Sequence, residues 1–279
     1  MIVLHKIKNV IFILMELLLP VIVIWLICFK FTIELFFSEI NFFIGTIDTS
    51  NSLFSSKLLK IIAFGLFTIL VYSHIRKRNE NRILFNGGDY YNDYPYFIYW
   101  ICAKLLNYKI CTLKNVPLYL QYKLLLKNLF PVFLTGDNLD EEQNALNYEA
   151  ENMNSLVRII NKNKNANTVN LILIDTYNID DNKLPDKLFE EYSIFIRRVA
   201  KPNGVRKYNQ KFIDQIKKEI SKLDTSITTI NIYATTNPKH NKSIVQNVFS
   251  LGDRSSIKYI NVSKQKKVTF EFDVLIRVK

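Results

Sequence analysis

The sequence predicts an α/β protein in which two membrane-spanning helices precede a three-layer, Rossmann-like domain. Two observations predict this fold class. The first 75 residues contain long apolar runs and only nine charged side chains, whereas residues 83–279 alternate between strand-like and helix-like patterns. Such alternation is typical of a largely parallel sheet covered by helices. We therefore predict a membrane anchor over residues 1–82 and a separate cytoplasmic α/β domain over residues 83–279.

The first predicted span covers residues 9–29, an apolar run of 21 residues with a single charged residue, Glu16. A helix needs about 20 residues to cross the hydrocarbon core of a bilayer. A secretory signal peptide is the alternative, but its apolar core is shorter and a small-residue cleavage site follows it. Neither feature occurs in this run, so the sequence favours a span that the protein retains.

The second predicted span covers residues 58–74, and the basic run 76–82 follows it directly. Lys60 lies near the start of this span, where its long side chain can reach the headgroups. Because basic residues accumulate on the cytoplasmic side of spans, we expect a cell inner-membrane protein with both termini in the cytoplasm. Residues near 45–56 then form a short external loop, and residues 31–43 fit an interfacial helix or an extended end of the first span. An exposed charged linker is another interpretation of the basic run, and both can hold together.

Glu16 is predicted to lie inside the first span, roughly 10 Å deep at the rise of an α-helix. An ionisable group at such depth is costly and is often functional. The functional interpretation is a polar contact between packed spans, or a carboxylate that faces the lumen of an oligomer. The alternative is a protonated side chain near the interface, and we weight it more heavily because sequence defines the register of a span only within a few residues.

Within the α/β domain, apolar runs of strand length alternate with segments of helical spacing. Tyr94 and Pro95 open a segment with apolar residues all round, which predicts a buried helix. Partial alternation over residues 116–127 predicts a strand, and the acidic start of residues 140–161 predicts a helix. Further strands are predicted to begin at Thr168, Ser193, Ser226, Ile257 and Val268, with helices over residues 212–223 and 238–252 among them. The last two strands are predicted to form an antiparallel hairpin.

Two loops follow predicted strands and carry polar residues at the edge where α/β sheets bind ligands. One is the loop 175–181, and the other is the loop 234–243, which leads into a predicted helix. Free backbone N–H groups at a helix start, together with nearby lysines, form a site for anions. The predicted ligand-binding residues are Asp175, Tyr177, Thr235, Thr236, Asn237, Lys239 and Lys242.

The alternative interpretation of both loops is structural, and we weight it more heavily. Asn237 and Pro238 fit a helix N-cap and the first residue of that helix. The aspartates of the first loop fit ordinary turn chemistry. Arg197 and Arg198 end a predicted strand and would extend a basic pocket, although each is also typical of a surface charge.

The sequence indicates no other chemistry. The cysteines, Cys28, Cys102 and Cys111, form neither a disulfide framework nor a zinc motif. No phosphate-binding glycine loop, nucleophile elbow or zinc-protease motif occurs, and the histidines are far apart in the sequence. We therefore predict no cofactor, no metal and no catalytic residue, although an enzyme is not excluded. Duplex nucleic acid is not among the expected partners.

Three segments resemble the core of SAVED and CARF sensor domains. They are VNLILIDTY from Val169, INIYATTNPKHNKSIVQNVFSLG from Ile230, and IKYINV from Ile257. The resemblance is topological, and it implies a strand–loop–helix–strand core that binds cyclic oligonucleotides in bacterial anti-phage systems. Some domains of this kind are fused to paired membrane spans. A full SAVED domain is a fused pair of such cores, whereas a single core is clear in this sequence.

We therefore expect a membrane-anchored effector whose cytoplasmic domain binds an anionic cyclic nucleotide. Its spans, assembled in a homo-oligomer, would then breach the lipid bilayer. A membrane-tethered interaction module without a small-molecule ligand is the first alternative. A membrane-bound enzyme for phosphorylated or lipid substrates is the second, and it requires carboxylates and basic groups to converge in one cleft.

Overall fold

The chain folds into two compact units, which we describe from a computed structural model. The helical unit comprises residues 1–84 with 97–109, and the α/β unit comprises residues 85–96 with 110–279. The structure describes residues 7–20, 22, 50–85, 91–136, 155–162, 166–199, 208–249, 256–266 and 271–279. Residues 97–109 therefore belong to the helical unit, although they lie within the segment that the sequence assigns to the α/β domain.

The helical unit is built mainly from two helices, α1 over residues 7–20 and α2 over Ser50–Glu80. The two-residue strand β1 (Ile83–Leu84) follows, and α3 (Tyr96–Trp100) continues as a π-helical turn over Ile101–Leu105. Within the described ranges, no helix combines the length and the apolar composition of a membrane span.

Several predictions for the anchor can be compared with α1 and α2. Residues 58–74 are helical as predicted, but α2 begins at Ser50, so the prediction of a loop was wrong over residues 50–56. Residue 21, residues 23–29 of the first predicted span, the segment 31–43 and residues 45–49 lie outside the described residues.

The α/β unit contains the remaining elements. They are β2 (Ile110–Thr112), α4 (Leu118–Leu126), β3 (Val132–Leu134), β4 (Ser155–Ile160), β5 (Thr168–Ile174), α5 (Lys187–Glu190), β6 (Ser193–Arg198), α6 (Gln210–Ser221), β7 (Thr229–Ala234), α7 (Pro238–Ile244), β8 (Tyr259–Gln265) and β9 (Phe272–Arg277). A 3₁₀ turn at Asp181–Lys183 precedes α5, and α7 continues as a π-helix over Val245–Phe249.

The main sheet has six strands in the order β4-β6-β5-β7-β8-β9. The pairs β6–β5, β5–β7 and β7–β8 are parallel, and the edge pairs β4–β6 and β8–β9 are antiparallel. The prediction of a largely parallel sheet that ends in an antiparallel hairpin is therefore confirmed. The strands β2 and β3 form a separate parallel pair.

One face of the main sheet lies under helices. Val169, Leu171 and Leu173 of β5 point to this face, as do Ile230 and Ile232 of β7, and all five are fully buried. The helix α6 contacts β6 and α7, and α4 contacts β8 and α7. These three helices therefore cover the face and exclude water from its apolar side chains, which is the main stabilising term of such a layer.

Among the described residues, the opposite face packs against a loop and a short helix. Its core includes Ile172, Ile179, Leu184, Leu188, Phe195, Tyr233 and Phe272. Ile179 and Leu184 come from the segment between β5 and α5, and Leu188 comes from α5.

An asparagine ladder crosses three strands on this second face. Asn231 of β7 donates to Asn170 of β5 at 2.9 Å and accepts from Asn261 of β8 at 2.8 Å. Asn170 donates in turn to Glu191 at 2.9 Å. Because each amide is both donor and acceptor, the ladder satisfies polar groups that burial would otherwise penalise.

Three predictions of local structure were wrong. Leu118–Leu126 is a helix instead of a strand, and five of its nine residues are buried. Pro117 precedes it in an extended conformation, which suits a helix start. Ser155–Ile160 is an edge strand instead of the end of a helix, in keeping with its β-branched residues, while residues 140–154 lie outside the described residues. Finally, the helix after Pro95 is not buried all round, since Phe97 and Trp100 are exposed.

Candidate functional site

The carboxyl ends of the three central strands lie together, as their parallel pairing requires. Asp175 follows β5, Arg198 ends β6, and Thr235 follows β7. Backbone bonds tie the ends to each other: Thr176 N–H donates to the Thr235 carbonyl at 3.1 Å, and Thr235 N–H donates to the Leu173 carbonyl at 3.0 Å. The two polar loops that the sequence singles out are therefore neighbours.

A buried charge pair lies at the centre of this edge. The Arg198 Nε lies 2.8 Å from Oδ1 of Asp175, and both side chains are at most 3% exposed. The His240 Nδ1 lies 2.6 Å from the other carboxylate oxygen, Oδ2, and it is also fully buried. Asn237 donates to Oδ2 from its side chain at 3.2 Å. A buried carboxylate needs such partners because desolvation penalises an unpaired charge.

The hydrogen bonds of His240 define its tautomer. The backbone N–H of Asn209 donates to Nε2 at 2.9 Å, so Nε2 is an acceptor and carries no proton. The proton therefore lies on Nδ1, and the neutral imidazole donates it to Asp175. Within the described part of the chain, the positive charge in contact with this carboxylate is therefore that of Arg198.

A second chain of buried polar side chains continues into the helices. Thr236 donates to Oδ1 of Asn241, Asn241 donates to Oε1 of Gln121 at 2.8 Å, and Gln121 donates to the carbonyl of Val116 at 2.7 Å. This chain connects the end of β7 with α7 and α4. We call these residues, together with Asp175, Arg198, Asn237 and His240, the strand-end network.

Most predicted ligand-binding residues have partners inside the protein. Asp175, Thr235 and Thr236 are buried, and Thr235 accepts from the backbone of Asp175 at 3.2 Å and donates to the carbonyl of Tyr177 at 3.1 Å. Asn237 caps α7, as its structural interpretation predicts, by accepting from the backbone N–H of His240 at 2.9 Å.

The predicted lysines and tyrosine lie nearer the surface. The Lys239 Nζ lies 5.1 Å from the centre of the Tyr208 ring, and the Lys242 Nζ donates to the Phe133 carbonyl at 2.8 Å. Tyr177 is 42% exposed, and its hydroxyl donates to Oε1 of Gln265 at 2.7 Å. Of the seven predicted residues, Tyr177 is therefore the most open to solvent.

A cavity of about 260 Å³ lies at the carboxyl end of β8. We call it the tyrosine cavity, and it is lined by Tyr91, Asp93, Pro117, Leu118, Tyr119, Ser263, Lys264 and Gln265. The hydrogen bond from Tyr177 to Gln265 connects the loop after β5 with this cavity. The signal for this cavity in the sequence is the position of residues 263–265, which end a strand that is parallel to its neighbour β7.

The tyrosines at this cavity influence each other. Burial raises the pKa of Tyr91 above its ordinary value, and the neighbouring phenols of Tyr119 and Tyr177 raise it further. The hydroxyl of Tyr91 therefore remains protonated at neutral pH and can both donate and accept hydrogen bonds.

Ser263 is a buried residue that lines the cavity, and the hydrogen-bonding capacity of its hydroxyl is not satisfied by the described residues. Ser263 is 1% exposed, and its Oγ has no hydrogen-bond partner among the described residues. A β-bulge between Ser263 and Gln265 interrupts the pairing of β8 with β9 at this point. A buried hydroxyl without a partner costs about 1–3 kcal/mol, so the position is one that a ligand group can stabilise.

The fold and the site define a class: an α/β protein with a mainly parallel sheet, polar strand ends and a helical unit joined to it through the chain. The family model of the SMODS- and ubiquitin system-associated 2TM effector domain (SUa-2TM) matches residues 2–273, and the chain belongs to this family. A search of the curated proteins found no match.

Two solved structures of a Cap4 SAVED/CARF-domain containing receptor from Acinetobacter baumannii are similar to the chain. One contains the cyclic trinucleotide 3′3′3′-cAAA and is similar with a TM-score of 0.44 at 7% identity, covering 66% of this chain and 42% of the receptor. The other contains 2′3′3′-cAAA, with a TM-score of 0.44 at 5% identity and coverage of 66% and 41%. The chain thus spans about two fifths of the receptor's length. Membership in a family of 2TM effector domains agrees with the expectation of an effector.

Proposed function

We propose that this protein is a membrane-anchored effector of an anti-phage system. Its α/β unit binds an anionic nucleotide signal, and its helical unit then acts on membrane integrity. Membership in a family of 2TM effector domains supports the effector role and the paired spans. The proposal places the spans near residues 9–29 and 58–74, with the α/β unit on the cytoplasmic side.

The observation that carries the proposal is the apolar surface of the helical unit. Large apolar side chains are exposed along both helices: Ile7, Ile11, Phe12, Leu14, Met15, Leu18 and Leu19 on α1, and Leu66, Phe67, Ile69 and Leu70 on α2. Exposed apolar surface of this extent indicates contact with lipid or with another protein. A bilayer provides that contact for both helices at once.

The contacts of Glu16 show a carboxylate that is paired within the helical unit. It accepts hydrogen bonds from Arg78 and, at 3.0 Å, from Asn79 near the carboxyl end of α2, and from Arg82 just beyond that end at 3.3 Å. Such pairing offsets the cost of an ionisable group within the first proposed span.

We place the signal at the carboxyl edge of the main sheet. In this proposal Tyr177, Lys239 and Lys242 contact the ligand, because each is at least partly accessible at that edge. Asp175, Thr235, Thr236 and Asn237 then act by holding the loops in position. Binding can shift the helical unit only if the ligand has different affinities for two states of the protein. In this proposal, the two states are two arrangements of the paired spans within a homo-oligomer.

The experiment uses the full chain in vesicles of phosphatidylcholine and phosphatidylglycerol loaded with a self-quenching dye. Thermal unfolding is measured with cyclic di-, tri- and tetranucleotides, and dye release is measured with each compound that raises the unfolding temperature. We expect at least one compound to raise this temperature and to release dye. No thermal shift with any compound would contradict the sensing role, and a shift without dye release would contradict the membrane role.

Membrane insertion is tested separately by flotation of the same vesicles. Leu70→Glu introduces a charge on the apolar surface of α2, and Ser221→Glu introduces the same residue at the exposed end of α6. We expect Leu70→Glu to reduce the floating fraction and Ser221→Glu to leave it unchanged. Flotation that is equal for the two variants would contradict the assignment of α2 to the bilayer.

A membrane-tethered interaction module without a small-molecule ligand is the second candidate. The internal contacts at the strand ends favour it, because Asp175, Thr235 and Thr236 already have partners within the protein. This candidate predicts that no cyclic nucleotide changes the unfolding temperature while flotation is retained.

A further inference from the structure

The tyrosine cavity lies where α/β proteins bind small molecules. It is bounded by Ser263–Gln265 at the carboxyl end of β8 and by Pro117–Tyr119 at the start of α4. Ligands of open α/β sheets settle beyond the carboxyl ends of strands. The position therefore agrees with a binding site, while the residues that line the cavity decide what it can bind.

Two other cavities of the α/β unit are larger but are less suited to a nucleotide. One of about 530 Å³ has no tyrosine among the residues that line it, which are Leu125, Leu126, Lys127, Asn128, Phe133, Val245, Gln246, Phe249, Val278 and Lys279. One of about 410 Å³ lies at the amino end of β5 beside Glu190 and Glu191. The tyrosine cavity, at about 260 Å³, is near the lower limit of small-molecule sites. It suits one nucleotide of a larger signal instead of the whole molecule.

Aromatic rings are the first feature that points to a base. Tyr91 and Tyr119 line the cavity, and Tyr177 is bonded to Gln265 at its rim. The flat faces of bases stack on such rings with little dependence on sequence. Phenol rings also tolerate partial exposure, since each has an apolar body and a polar tip.

The buried hydroxyl of Ser263 is an independent observation. Ser263 is 1% exposed, lines the cavity, and has no hydrogen-bond partner for its Oγ among the described residues. A hydroxyl can donate one hydrogen bond and accept two. A polar group of a bound ligand would satisfy it, whereas an empty cavity leaves it unpaired.

The charged residues of the cavity restrict the ligand further. The exposed ammonium of Lys264 is suited to a phosphate as a point charge. The half-buried carboxylate of Asp93 repels phosphate and accepts hydrogen bonds from amino groups of bases, as carboxylates do with cytosine. Together the two charges favour a phosphate at one side of the cavity and an amino-bearing base at the other.

We propose that the tyrosine cavity binds one nucleotide of the signal, with an amino-bearing base stacked on Tyr91 and Tyr119 and its phosphate on Lys264. Ser263 donates to or accepts from this nucleotide, and Asp93 selects adenine, guanine or cytosine over uracil. The inference rests on the proposed sensing function and narrows it to a site and a class of base.

The experiment measures binding of cyclic di-AMP, cyclic di-GMP, cyclic di-UMP and cyclic tri-AMP to the full chain in detergent by calorimetry. For the compound that binds, we expect Tyr119→Ala and Lys264→Ala to weaken affinity at least tenfold. Lys258→Ala is the matched control, because Lys258 is exposed just before the amino end of the same strand. It is expected to change affinity less than twofold.

Ser263→Ala provides a readout that does not depend on damage to the fold. Removing an unpaired buried hydroxyl should leave the unfolding temperature of the unliganded protein unchanged or raise it, while the affinity for the nucleotide falls at least threefold. A lower unfolding temperature without ligand, or unchanged affinity, would overturn the role of Ser263.

Asp93→Asn should reduce the preference for cyclic di-AMP over cyclic di-UMP.

The outcomes separate this inference from the function on which it rests. If the parent protein binds a cyclic nucleotide and the Tyr119, Lys264 and Ser263 variants bind it equally well, the cavity is not the site and the sensing function stands. If the parent protein binds none of the compounds, the sensing function itself fails. Tenfold losses confined to the cavity variants support both.

Discussion

The carboxylate of Asp175 lies 2.6 Å from Nδ1 of His240. Its other oxygen lies 2.8 Å from Nε of Arg198. These two contacts join the end of β5 to α7 and to the end of β6, and all three side chains are almost fully buried. The surface-charge interpretation of Arg198 was therefore wrong, since Arg198 turns inward while its neighbour Arg197 is exposed.

Replacing Asp175 with alanine is expected to destabilise the protein strongly. The change leaves the guanidinium of Arg198 buried without a counter-charge, and removal of one partner of a buried pair costs about 3–5 kcal/mol. Asp180→Ala is the matched control in the same loop, because its pair with Lys183 is exposed and such pairs contribute about 0–1 kcal/mol. Thermal unfolding of the full chain in detergent measures both. Similar unfolding temperatures for the two variants would show that the buried pair contributes little.

The asparagine ladder predicts an order of stability for two variants. Asn231→Ala removes the central amide and leaves Asn170 and Asn261 each without one partner. We expect a loss of about 1–3 kcal/mol, because unsatisfied buried amides keep their desolvation penalty. Asn261→Ala removes only the terminal bond and should cost less, about 1 kcal/mol. Urea unfolding compares the two, and an equal or reversed order would contradict a continuous ladder.

In the helical unit, we expect replacement of Glu16 and replacement of its arginine partners to lower the free energy of unfolding by different amounts. Glu16 is 5% exposed at its side chain, whereas Arg78 and Arg82 are 45% and 46% exposed. Glu16→Gln leaves two arginines that water can solvate, so the expected loss is about 1 kcal/mol. Replacing both arginines with alanine leaves a buried carboxylate whose remaining partners among the described residues are Asn79 and Tyr108, and should cost about 3 kcal/mol.

Unfolding of the full chain in detergent measures this asymmetry. Tyr108→Phe is a useful control because it removes a single 3.1 Å hydrogen bond to Glu16 and keeps the ring. A larger loss for Glu16→Gln than for the double arginine variant would contradict the burial of the carboxylate.

Much of the main sheet was predictable because its strands carry strong local signals. The runs at Thr168 and Ser193 are apolar and bounded by polar loops, and buried parallel strands have this pattern. The repeated triplets around Asn170, Asn231 and Asn261 also carry information, since each places an asparagine between apolar residues. Matching these triplets gives the register of three strands.

The remaining elements depend on packing that local patterns do not record. Leu118–Leu126 is buried on several sides, so its sequence lacks the clear period of an amphipathic helix. The exposed strand Ser155–Ile160 exists because it pairs with β6, a contact 33 or more residues away along the chain.

The same limit applies to the candidate site. Tyr91, Tyr119 and Ser263 meet at one cavity from three distant segments, while Asp175 and Thr235 were predictable because their strands are neighbours.

Tyr233 predicts how stability depends on alkaline pH. Burial raises the pKa of this tyrosine from its ordinary value of about 10 to about 12, and the nearby carboxylate of Glu191 contributes. The neutral phenol is therefore favoured in the folded protein. Below pH 10 its contribution to stability is complete, and between pH 10 and 12 the unfolded chain loses a proton that the folded protein keeps. The free energy of unfolding should then fall as pH rises, by at most about 1.4 kcal/mol per pH unit for one group.

Tyr233→Phe retains the packing against Phe272 and should make this decline shallower. Thermal unfolding at pH 8, 9, 10 and 11 compares the two proteins, and parallel curves across that range would contradict the shifted pKa.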